Sequence, residues 1–387
     1  MEYRSFSRRD LFAAGRVALG GLALGQIARS ATAPASPVAI ARCRSYARDH
    51  VEPALETMFD QLGGIGSLMK NKTVAIKLNL TGQPQRFPVD PRFPYRTDPA
   101  TVLATASLIA KAGARRIRMI ETFFPARQEM ELWARYRLDI DAINNVGCKV
   151  EWENAQNLGL GKQYARMKVP GNAYMFPAYD LNHSFADCDV YVSMSKLKNH
   201  WIAGVTMSLK NNFGITPCSL YGGDCGPSGN EDPRQERVQV GHNGAVQPPA
   251  GVARELHPDS PRDAGYRVPR IVADLVRARP IDLAIVDGVE SIRGGEGTWN
   301  RGVQMVKPGL MLAGRNPVCL DAVCMAVMGY DPRADRGTAP FLRGDNTLKL
   351  CEAEGVGTTD LKRIEVAGVS IKEALYDFGP GPTGQKI

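Results

Sequence analysis

Residues 73–80 read TVAIKLNL, residues 98–113 begin with Asp-Pro and end with a glycine, and residues 116–121 read RIRMIE. The first and third stretches consist largely of β-branched and aliphatic residues, which is typical of buried strands. Asp98 can cap a helix whose first residue is Pro99, and the final glycine can end that helix. Strand, helix and strand in this order predict a right-handed βαβ unit.

The same alternation continues on both sides of this unit. Helical spacing predicts helices over residues 51–62, 139–145, 268–277, 317–328 and 347–354, and apolar runs predict strands over 149–153, 188–194, 281–286, 309–313 and 363–366. Residues 217–267 have almost no apolar periodicity, which indicates either a lid over a site or a disordered insert. We therefore predict an α/β fold: a mostly parallel sheet with flanking helices in Rossmann-like layers, and one long lid-like loop.

The N-terminus has the order of an export signal. Ser7-Arg8-Arg9 lies in a charged leader, residues 11–28 are mostly apolar, and Ala33-Pro34-Ala35 offers a cleavage site. These features predict a twin-arginine signal peptide over residues 1–35 and a single α/β domain over residues 36–387. The alternative is an amphipathic first helix with a chance arginine pair.

Such a signal implies a particular route and destination. We expect the twin-arginine translocase to export the folded protein to the periplasm or beyond. The apolar stretch is short and is interrupted by Arg16 and Gln26, so we expect no stable membrane span once the signal is removed. Whether the signal is cleaved stays open.

Composition and charge restrict the partners. Of the 387 residues, 44% are hydrophobic and 23% are charged, which is typical of a globular protein with a sizeable core. The formal net charge is +8, part of it in the leader, and the basic residues form no long run. This pattern argues against nucleic acid and weakly favours a small anionic molecule as the ligand.

The spacing of the cysteines matches no metal-binding motif. Eight are scattered along the chain without a C-x-x-C pair or a ferredoxin-type run, so no iron–sulfur or zinc motif is present. Cys218 and Cys225 flank a glycine-rich turn and either form a disulfide or remain thiols. A metal ion stays possible, but the cofactor is unknown.

Polar side chains cluster where three predicted strands end. In open α/β sheets, ligands bind beyond the carboxyl ends of the strands. Side chains two residues apart in a strand share a face, so the polar groups at the end of the first strand point the same way. The candidate residues are Lys77 and Asn79 at the first strand end, Lys196, Lys198, His200, Lys210, Asn211 and Asn212 at the second, and Asp287 and Glu290 at the third.

These residue types suit an oxyanion. Ammonium groups pair with carboxylate or phosphate oxygens, and a histidine can transfer a proton or bind a metal. Each group by itself is more often a solvated loop residue, a structural histidine or a turn former. Because three strand ends with complementary charge lie beside one long loop, we predict a shared cleft that binds an anion or a metal.

A longer pattern resembles a known family. Residues 196–200 (KLKNH) and 203–214 (AGVTMSLKNNFG) are similar to the signature of the family called domain of unknown function 362, and the likeness extends over residues 70 to 370. The resemblance implies an α/β domain whose activity is not established. Some members carry ferredoxin-type iron–sulfur motifs, which this sequence lacks.

Our leading hypothesis is an exported enzyme or cofactor-dependent protein that acts on a small anionic molecule. Lys196, Lys198 and Lys210 would hold the anion, with Lys77, Asn79, Asn211 and Asn212 as further ligand-binding groups. His200, Lys210 and Asp287 would be catalytic, and Asp287 and Glu290 would bind a metal if one is present. Two alternatives remain: a non-catalytic anion- or metal-binding protein, and an iron–sulfur partner subunit with Cys188, Cys218 and Cys225 as ligands.

Overall fold

The structure is a computed structural model that describes residues 32–82, 87–122, 130–155, 164–222 and 238–383. The twin-arginine motif and Cys225 lie outside these residues. Within them, no helix is both long and apolar enough to cross a membrane.

The centre of the molecule is an eight-stranded sheet with the spatial order β14-β1-β13-β10-β7-β2-β3-β4. Three two-stranded sheets, β5-β6, β8-β9 and β11-β12, accompany it. The strands are β1 (Val38–Arg42), β2 (Thr73–Lys77), β3 (Arg116–Glu121), β4 (Lys149–Asn154), β5 (Ala165–Lys168), β6 (Ala178–Leu181), β7 (Val190–Lys196), β8 (Asn199–His200), β9 (Gly204–Val205), β10 (Leu283–Gly288), β11 (Ser291–Arg293), β12 (Gln304–Val306), β13 (Leu310–Gly314) and β14 (Val366–Gly368).

Most of the large sheet is parallel, as predicted. β10, β7, β2, β3 and β4 all run the same way. β13 is antiparallel to both of its neighbours, β10 and β1, and β14 pairs parallel with β1. The chain proceeds from β2 outward to β3 and β4, and then returns to the other side of β2 for β7 and β10. Strand order therefore reverses between β2 and β7, which is where such sheets bind ligands.

Helices cover both faces of the sheet. They are α1 (Arg48–Gln61), α2 (Gly66–Met69), α3 (Pro99–Lys111), α4 (Met130–Ala134), α5 (Ile140–Asn144), α6 (His183–Ala186), α7 (Met207–Asn211), α8 (Cys218–Tyr221), α9 (Ala264–Ala278), α10 (Pro317–Val327), α11 (Thr347–Ala353) and α12 (Ile371–Ala374). One apolar cluster joins α1 and α3 to the sheet, and a second joins α9, α10 and α11 to it. Because side chains alternate along β2, Val74 and Ile76 belong to the first cluster and Ala75 to the second.

The predicted βαβ unit is confirmed. The Asp98 side chain accepts a hydrogen bond from the Ala100 N–H at 2.9 Å, and Pro99 is the first residue of α3. β2 and β3 pair in parallel along their length, with Lys77 opposite Ile120.

Several elements differ from the prediction, and β1 and α9 are two of them. β1 was not predicted, yet it lies inside the sheet, where Val38 pairs with Gly314 on β13 and Val366 on β14. The chain just before β1 also packs on the domain: the Arg363 guanidinium donates to the Ala33 carbonyl at 2.7 Å, and the Thr358 N–H donates to the Pro34 carbonyl at 3.0 Å.

Helix α9 begins four residues earlier than predicted. Pro269 has no N–H, so the Gly265 carbonyl one turn before it has no partner within the helix. The Asp345 backbone N–H donates to that carbonyl at 2.9 Å from outside the helix. The Asp263 side chain caps the new start by accepting from the Gly265 N–H at 3.2 Å.

The described part of the long loop is fixed by polar contacts. Between the π-helical turn Val238–His242 and α9, Glu255 accepts from Arg267 at 2.6 Å, and both side chains are fully buried. Arg267 also donates to the Val240 carbonyl at 3.0 Å. These contacts attach residues 238–263 to α9 without the apolar periodicity that a sequence pattern detects.

Candidate functional site

A cavity of about 110 Å³ lies beyond the carboxyl ends of β2 and β7, where the strand order reverses. Its walls come from four segments. The lining residues are Lys77, Asn79, Leu80, Thr81 and Gly82 after β2, Glu121, Thr122 and Tyr136 after β3, Lys198, His200, Thr206, Lys210, Asn211, Phe213 and Gly214 after β7, and Glu296 after β11.

A buried ion pair forms the wall between β2 and β3. Lys77 Nζ donates to Glu121 Oε1 at 2.5 Å and to the Leu78 carbonyl at 2.6 Å. The other carboxylate oxygen, Oε2, accepts from the Leu80 N–H at 2.8 Å, and Oε1 also accepts from the Thr122 N–H at 2.7 Å. Glu121 therefore neutralises Lys77 and fixes the turn that follows β2.

Two asparagines connect β2 with helix α7. Asn79 Nδ2 donates to Asn211 Oδ1 at 3.1 Å. Asn211 Nδ2 in turn donates to Ser193 Oγ at 3.0 Å and to the Met194 carbonyl at 3.2 Å. Both asparagines are buried and both line the cavity.

Lys198 presents a fully buried amine at the cavity. Its Nζ donates to the Tyr95 carbonyl at 2.5 Å and to the Glu296 carbonyl at 3.1 Å, and it lies 5.4 Å from the centre of the Tyr95 ring. Burial lowers the pKa of Lys198 well below its ordinary value. The Glu296 carboxylate opposes this shift, whereas the nearby cations reinforce it.

The backbone sets the protonation of the His200 ring. Its Nδ1 accepts from the N–H groups of Ile202 and Ala203, both at 3.2 Å. A nitrogen that accepts carries no proton, so the neutral ring carries its proton on Nε2. His200 therefore brings an N–H donor to the cavity wall. Lys210 contributes a half-buried amine 4.5 Å from the centre of the Phe213 ring.

Glu296 is held in place by two aromatic residues. Its Oε2 accepts from the Trp201 N–H at 2.8 Å, and its Oε1 accepts from the Trp299 indole at 2.9 Å. The flanking glycines allow this arrangement, because a Cβ on Gly297 would lie 2.4 Å from the Trp299 ring.

Asp321 holds helix α7 in position through hydrogen bonds to its residues. This fully buried carboxylate accepts from the Ser208 N–H at 3.0 Å, from the Leu209 N–H at 2.8 Å and from the Ser208 hydroxyl. Burial raises the pKa of Asp321 to about 7, although these hydrogen bonds oppose the shift. The contacts fix the first turn of the helix that carries Lys210 and Asn211.

Lys196 and Asp287 form a separate buried cluster that does not line the cavity. Lys196 Nζ donates to Asp287 Oδ2 at 2.9 Å and to the Tyr46 hydroxyl at 2.7 Å. Asp287 also accepts from the Tyr46 hydroxyl at 2.9 Å, the Val289 N–H at 3.2 Å and the Asp98 N–H at 3.1 Å. Burial, and to a lesser extent the Asp287 carboxylate, raises the pKa of Asp98 to about 6.

Two other predicted site residues also lie outside the cavity lining. Glu290 forms an ion pair with Lys307 at 2.7 Å. Asn212 is buried and accepts from the Tyr191 hydroxyl at 2.7 Å. Within the parts of the chain that the structure describes, no three His, Cys, Asp or Glu side chains are grouped to hold a metal ion.

The cysteines proposed as cluster ligands have other surroundings. Cys218 is disulfide-bonded, while Cys225 lies outside the described residues. Cys188 is a thiol that accepts from the Arg279 guanidinium at 3.2 Å. Burial raises the pKa of Cys188, which disfavours the thiolate that binds iron.

The cavity residues absent from the predicted set include Glu121 and Tyr136. Glu121 is the last residue of a predicted strand, so the rule that selected Lys77 and Asn79 would also have found it. Tyr136 follows a short helix and carries no local signal. By contrast, Lys77, Asn79 and Thr81 all line the cavity, together with Leu80 and Gly82 between and after them.

Comparison with known families gives a match over residues 74–326 to the domain of unknown function (DUF362). The chain belongs to this family. The matched span contains every residue that lines the cavity, so the cavity is part of the DUF362 domain itself.

Two individual proteins are similar to this DUF362 chain. A thylakoid-associated protein of Synechocystis sp. (strain ATCC 27184 / PCC 6803 / Kazusa) is 23% identical over 335 residues, which cover 81% of this chain and 79% of that protein. The lactate racemase apoprotein from Thermoanaerobacterium thermosaccharolyticum shares 13% identity with a TM-score of 0.36, over 65% of this chain and 50% of that one. At that TM-score the likeness does not indicate a shared site.

Proposed function

We propose that this DUF362 chain binds a small molecule carrying a carboxylate or phosphate in the cavity beyond β2 and β7 and transfers protons to and from it. The observation that carries the proposal is the convergence of Lys198, His200 and Lys210 on one small cavity where the strand order reverses. Their donors suit an oxyanion, and the site lies where open α/β sheets bind ligands.

Lys210 and His200 would hold the anion. Lys210 is half-buried and brings a compact positive charge, and His200 brings the Nε2–H donor that its backbone contacts select. Lys77 is already neutralised by Glu121, so its role in the proposal is to shape the wall.

Lys198 would act as the base. Its two hydrogen bonds go to carbonyl oxygens, so no carboxylate directly neutralises it when protonated. Since burial lowers its pKa, a larger share of this amine is neutral at a given pH than in an exposed lysine, and only the neutral amine can accept a proton. An anion arriving beside it favours the protonated form. Anion binding should therefore take up a proton and become tighter as the pH falls, whereas proton transfer from the ligand needs the share of bound protein whose Lys198 stays neutral and should become faster as the pH rises.

Titration with acetate and with phosphate tests the binding step. Isothermal calorimetry at about pH 6 and about pH 8 should show saturable binding that is tighter at the lower pH. Lys210→Ala should weaken it by about tenfold or more, since a charge-assisted contact is lost. Lys349→Ala removes an exposed ion pair with Asp335 and is the matched control. Absence of saturable binding by both anions would refute the proposal.

Solvent exchange tests the chemistry. A base beside a bound carboxylate can remove a hydrogen from the carbon next to the carboxylate. When acetate is incubated with the protein in deuterated water, deuterium should therefore replace the hydrogen on that carbon, and NMR would record the exchange. Lys198→Met should abolish the exchange. Binding without exchange would leave the chain as the non-catalytic anion-binding protein that the sequence also allows.

The N-terminal sequence supports a location for this function outside the inner membrane. Replacing Arg8 and Arg9 together by lysine should keep the protein out of the periplasmic fraction. The mass of the exported protein should place its start near Ser36. Such cleavage would release Ala33 and Pro34, whose carbonyls accept hydrogen bonds from the folded domain. A periplasmic level unchanged by the lysine pair would exclude the twin-arginine route.

A further inference from the structure

The hydrogen-bond chain from Met194 to Asn79 determines which side-chain atom of Asn79 is left without a partner. The Met194 carbonyl can only accept, so the Asn211 atom 3.2 Å from it must be the amide nitrogen. The Asn211 oxygen, Oδ1, therefore faces Asn79. Asn79 must donate to it from its own amide nitrogen, Nδ2, at 3.1 Å. The atom of Asn79 left over is the carbonyl oxygen, Oδ1.

This oxygen has no hydrogen-bond donor among the described residues. Asn79 is 7% exposed, its Oδ1 is inaccessible to solvent, and the residue lines the cavity. A buried amide oxygen almost always has a donor, and leaving it without one is unfavourable. A ligand that enters the cavity can supply this donor.

We propose that the bound molecule carries a hydroxyl or amino group next to its anionic group, and that this group donates to Asn79 Oδ1. The inference rests on the proposed function, because it assumes that Lys210 and His200 hold the anion. Asn79, His200 and Lys210 line the same cavity of about 110 Å³, so one small molecule can reach all three residues. A short 2-hydroxy or 2-amino acid carries the two groups on neighbouring atoms.

Matched probes that differ only in this donor provide the test. Glycolate and glycine each carry the donor, acetate lacks it, and methoxyacetate has an oxygen at the same place that cannot donate. Calorimetry on the full chain should show glycolate or glycine binding about tenfold or more tightly than acetate, because a site built for a donor rejects the analogue without it. Methoxyacetate should be no better than acetate.

A variant shows whether Asn79 is responsible. Asn79→Leu keeps the size of the side chain and removes the acceptor, so the ratio of glycolate affinity to acetate affinity should fall to about one. Asn79→Ser, which keeps an acceptor, serves as a second variant if the leucine variant does not fold.

The outcomes separate the two proposals. If acetate binds as tightly as both glycolate and glycine, the donor inference is wrong although the anion site stands, and a water molecule is then the natural partner of Asn79. If none of the four carboxylates binds and phosphate does not bind either, the proposed function itself fails. A preference that survives in Asn79→Leu would place the acceptor elsewhere.

Discussion

Lys196 and Lys198 are separated by one residue and are both fully buried, yet their surroundings differ in kind. Lys196 faces a carboxylate that accepts hydrogen bonds from four groups, and it lies away from the cavity. Among the described residues, the Lys198 amine donates to two carbonyl oxygens and lies near an aromatic ring, and the residue lines the cavity. The first lysine therefore carries a charge that is balanced within the protein, whereas the second is available to a ligand.

Strand register produces the difference. Lys196 is the last residue of β7, and Asp287 lies directly opposite it on β10. Lys198 lies two residues beyond Lys196–Asp287, which is the last register pair of β7 and β10. Buried lysines at a strand end can thus have structural or functional roles according to whether the next strand supplies a carboxylate.

Breaking the Lys196–Asp287 ion pair should have the largest effect on the free energy of unfolding. Asp287→Asn keeps the shape of the side chain and leaves a buried ammonium without its counter-charge. We expect a loss of about 3–5 kcal/mol in the free energy of unfolding, measured by urea denaturation. Lys349→Ala, which removes an exposed pair, should cost less than about 1 kcal/mol. Equal losses in the two variants would contradict a structural role for the buried pair.

Removing both charges of the Lys196–Asp287 pair tests whether the charges themselves cause this loss of stability. In a Lys196→Met, Asp287→Leu double variant neither desolvated charge remains, so the protein should regain at least about 2 kcal/mol relative to Asp287→Asn. The same denaturation experiment measures it. A double variant as unstable as the single one would mean that the hydrogen bonds to Tyr46 and the backbone, not the charge pair, hold this cluster together.

Asp321 fixes the helix that carries the cavity residues Lys210 and Asn211. Its contribution to the free energy of unfolding should depend on pH. Its folded-state pKa of about 7 lies above the ordinary value, so the folded protein binds this proton more tightly than the unfolded chain. Its contribution to stability is fully present below about pH 4 and is lost as the pH rises through about 7. The loss caused by Asp321→Asn should therefore shrink by about 1 kcal/mol or more between about pH 5 and about pH 8. A pH-independent loss would show that Asp321 does not titrate in this range.

Lys198→Met should have the smallest effect on stability. Two hydrogen bonds to carbonyls are lost, but a desolvated amine is removed as well, so we expect a change of about 1 kcal/mol or less. The pH dependence of acetate or phosphate affinity should disappear with the amine. A stability loss as large as that of Asp287→Asn would make Lys198 a structural residue like Lys196.

Much of this fold can be predicted from local sequence, because its central elements carry their own boundaries. Asp98 and Pro99 mark the start of α3, and the alternation in TVAIKLNL places Lys77 and Asn79 on one face. β1 carries no comparable signal, since its five residues follow the predicted leader and its partners lie at the far end of the chain. The start of α9 was missed because the partner of the Gly265 carbonyl comes from Asp345.

The site could be predicted only in part for a similar reason. Residue type and strand position selected Lys198, His200, Lys210 and Asn79, which all line the cavity. The pairing of Lys196 with Asp287 depends on the register of two strands about ninety residues apart in sequence, which no local pattern encodes. Sequence therefore located the polar residues at strand ends, but it did not show which of them neutralise one another.

The position of β1 has a consequence for how the chain is made. β1 lies between β13 and β14, and its partners run from Leu310 to Gly314 and from Val366 to Gly368. A ribosome adds roughly 5–20 residues per second, so these partners emerge tens of seconds after β1 does. During that time β1 has two unpaired edges, and the central sheet cannot close. The sheet can therefore close only after residue 368 has emerged, and a transport system that accepts only folded proteins would receive this chain no earlier.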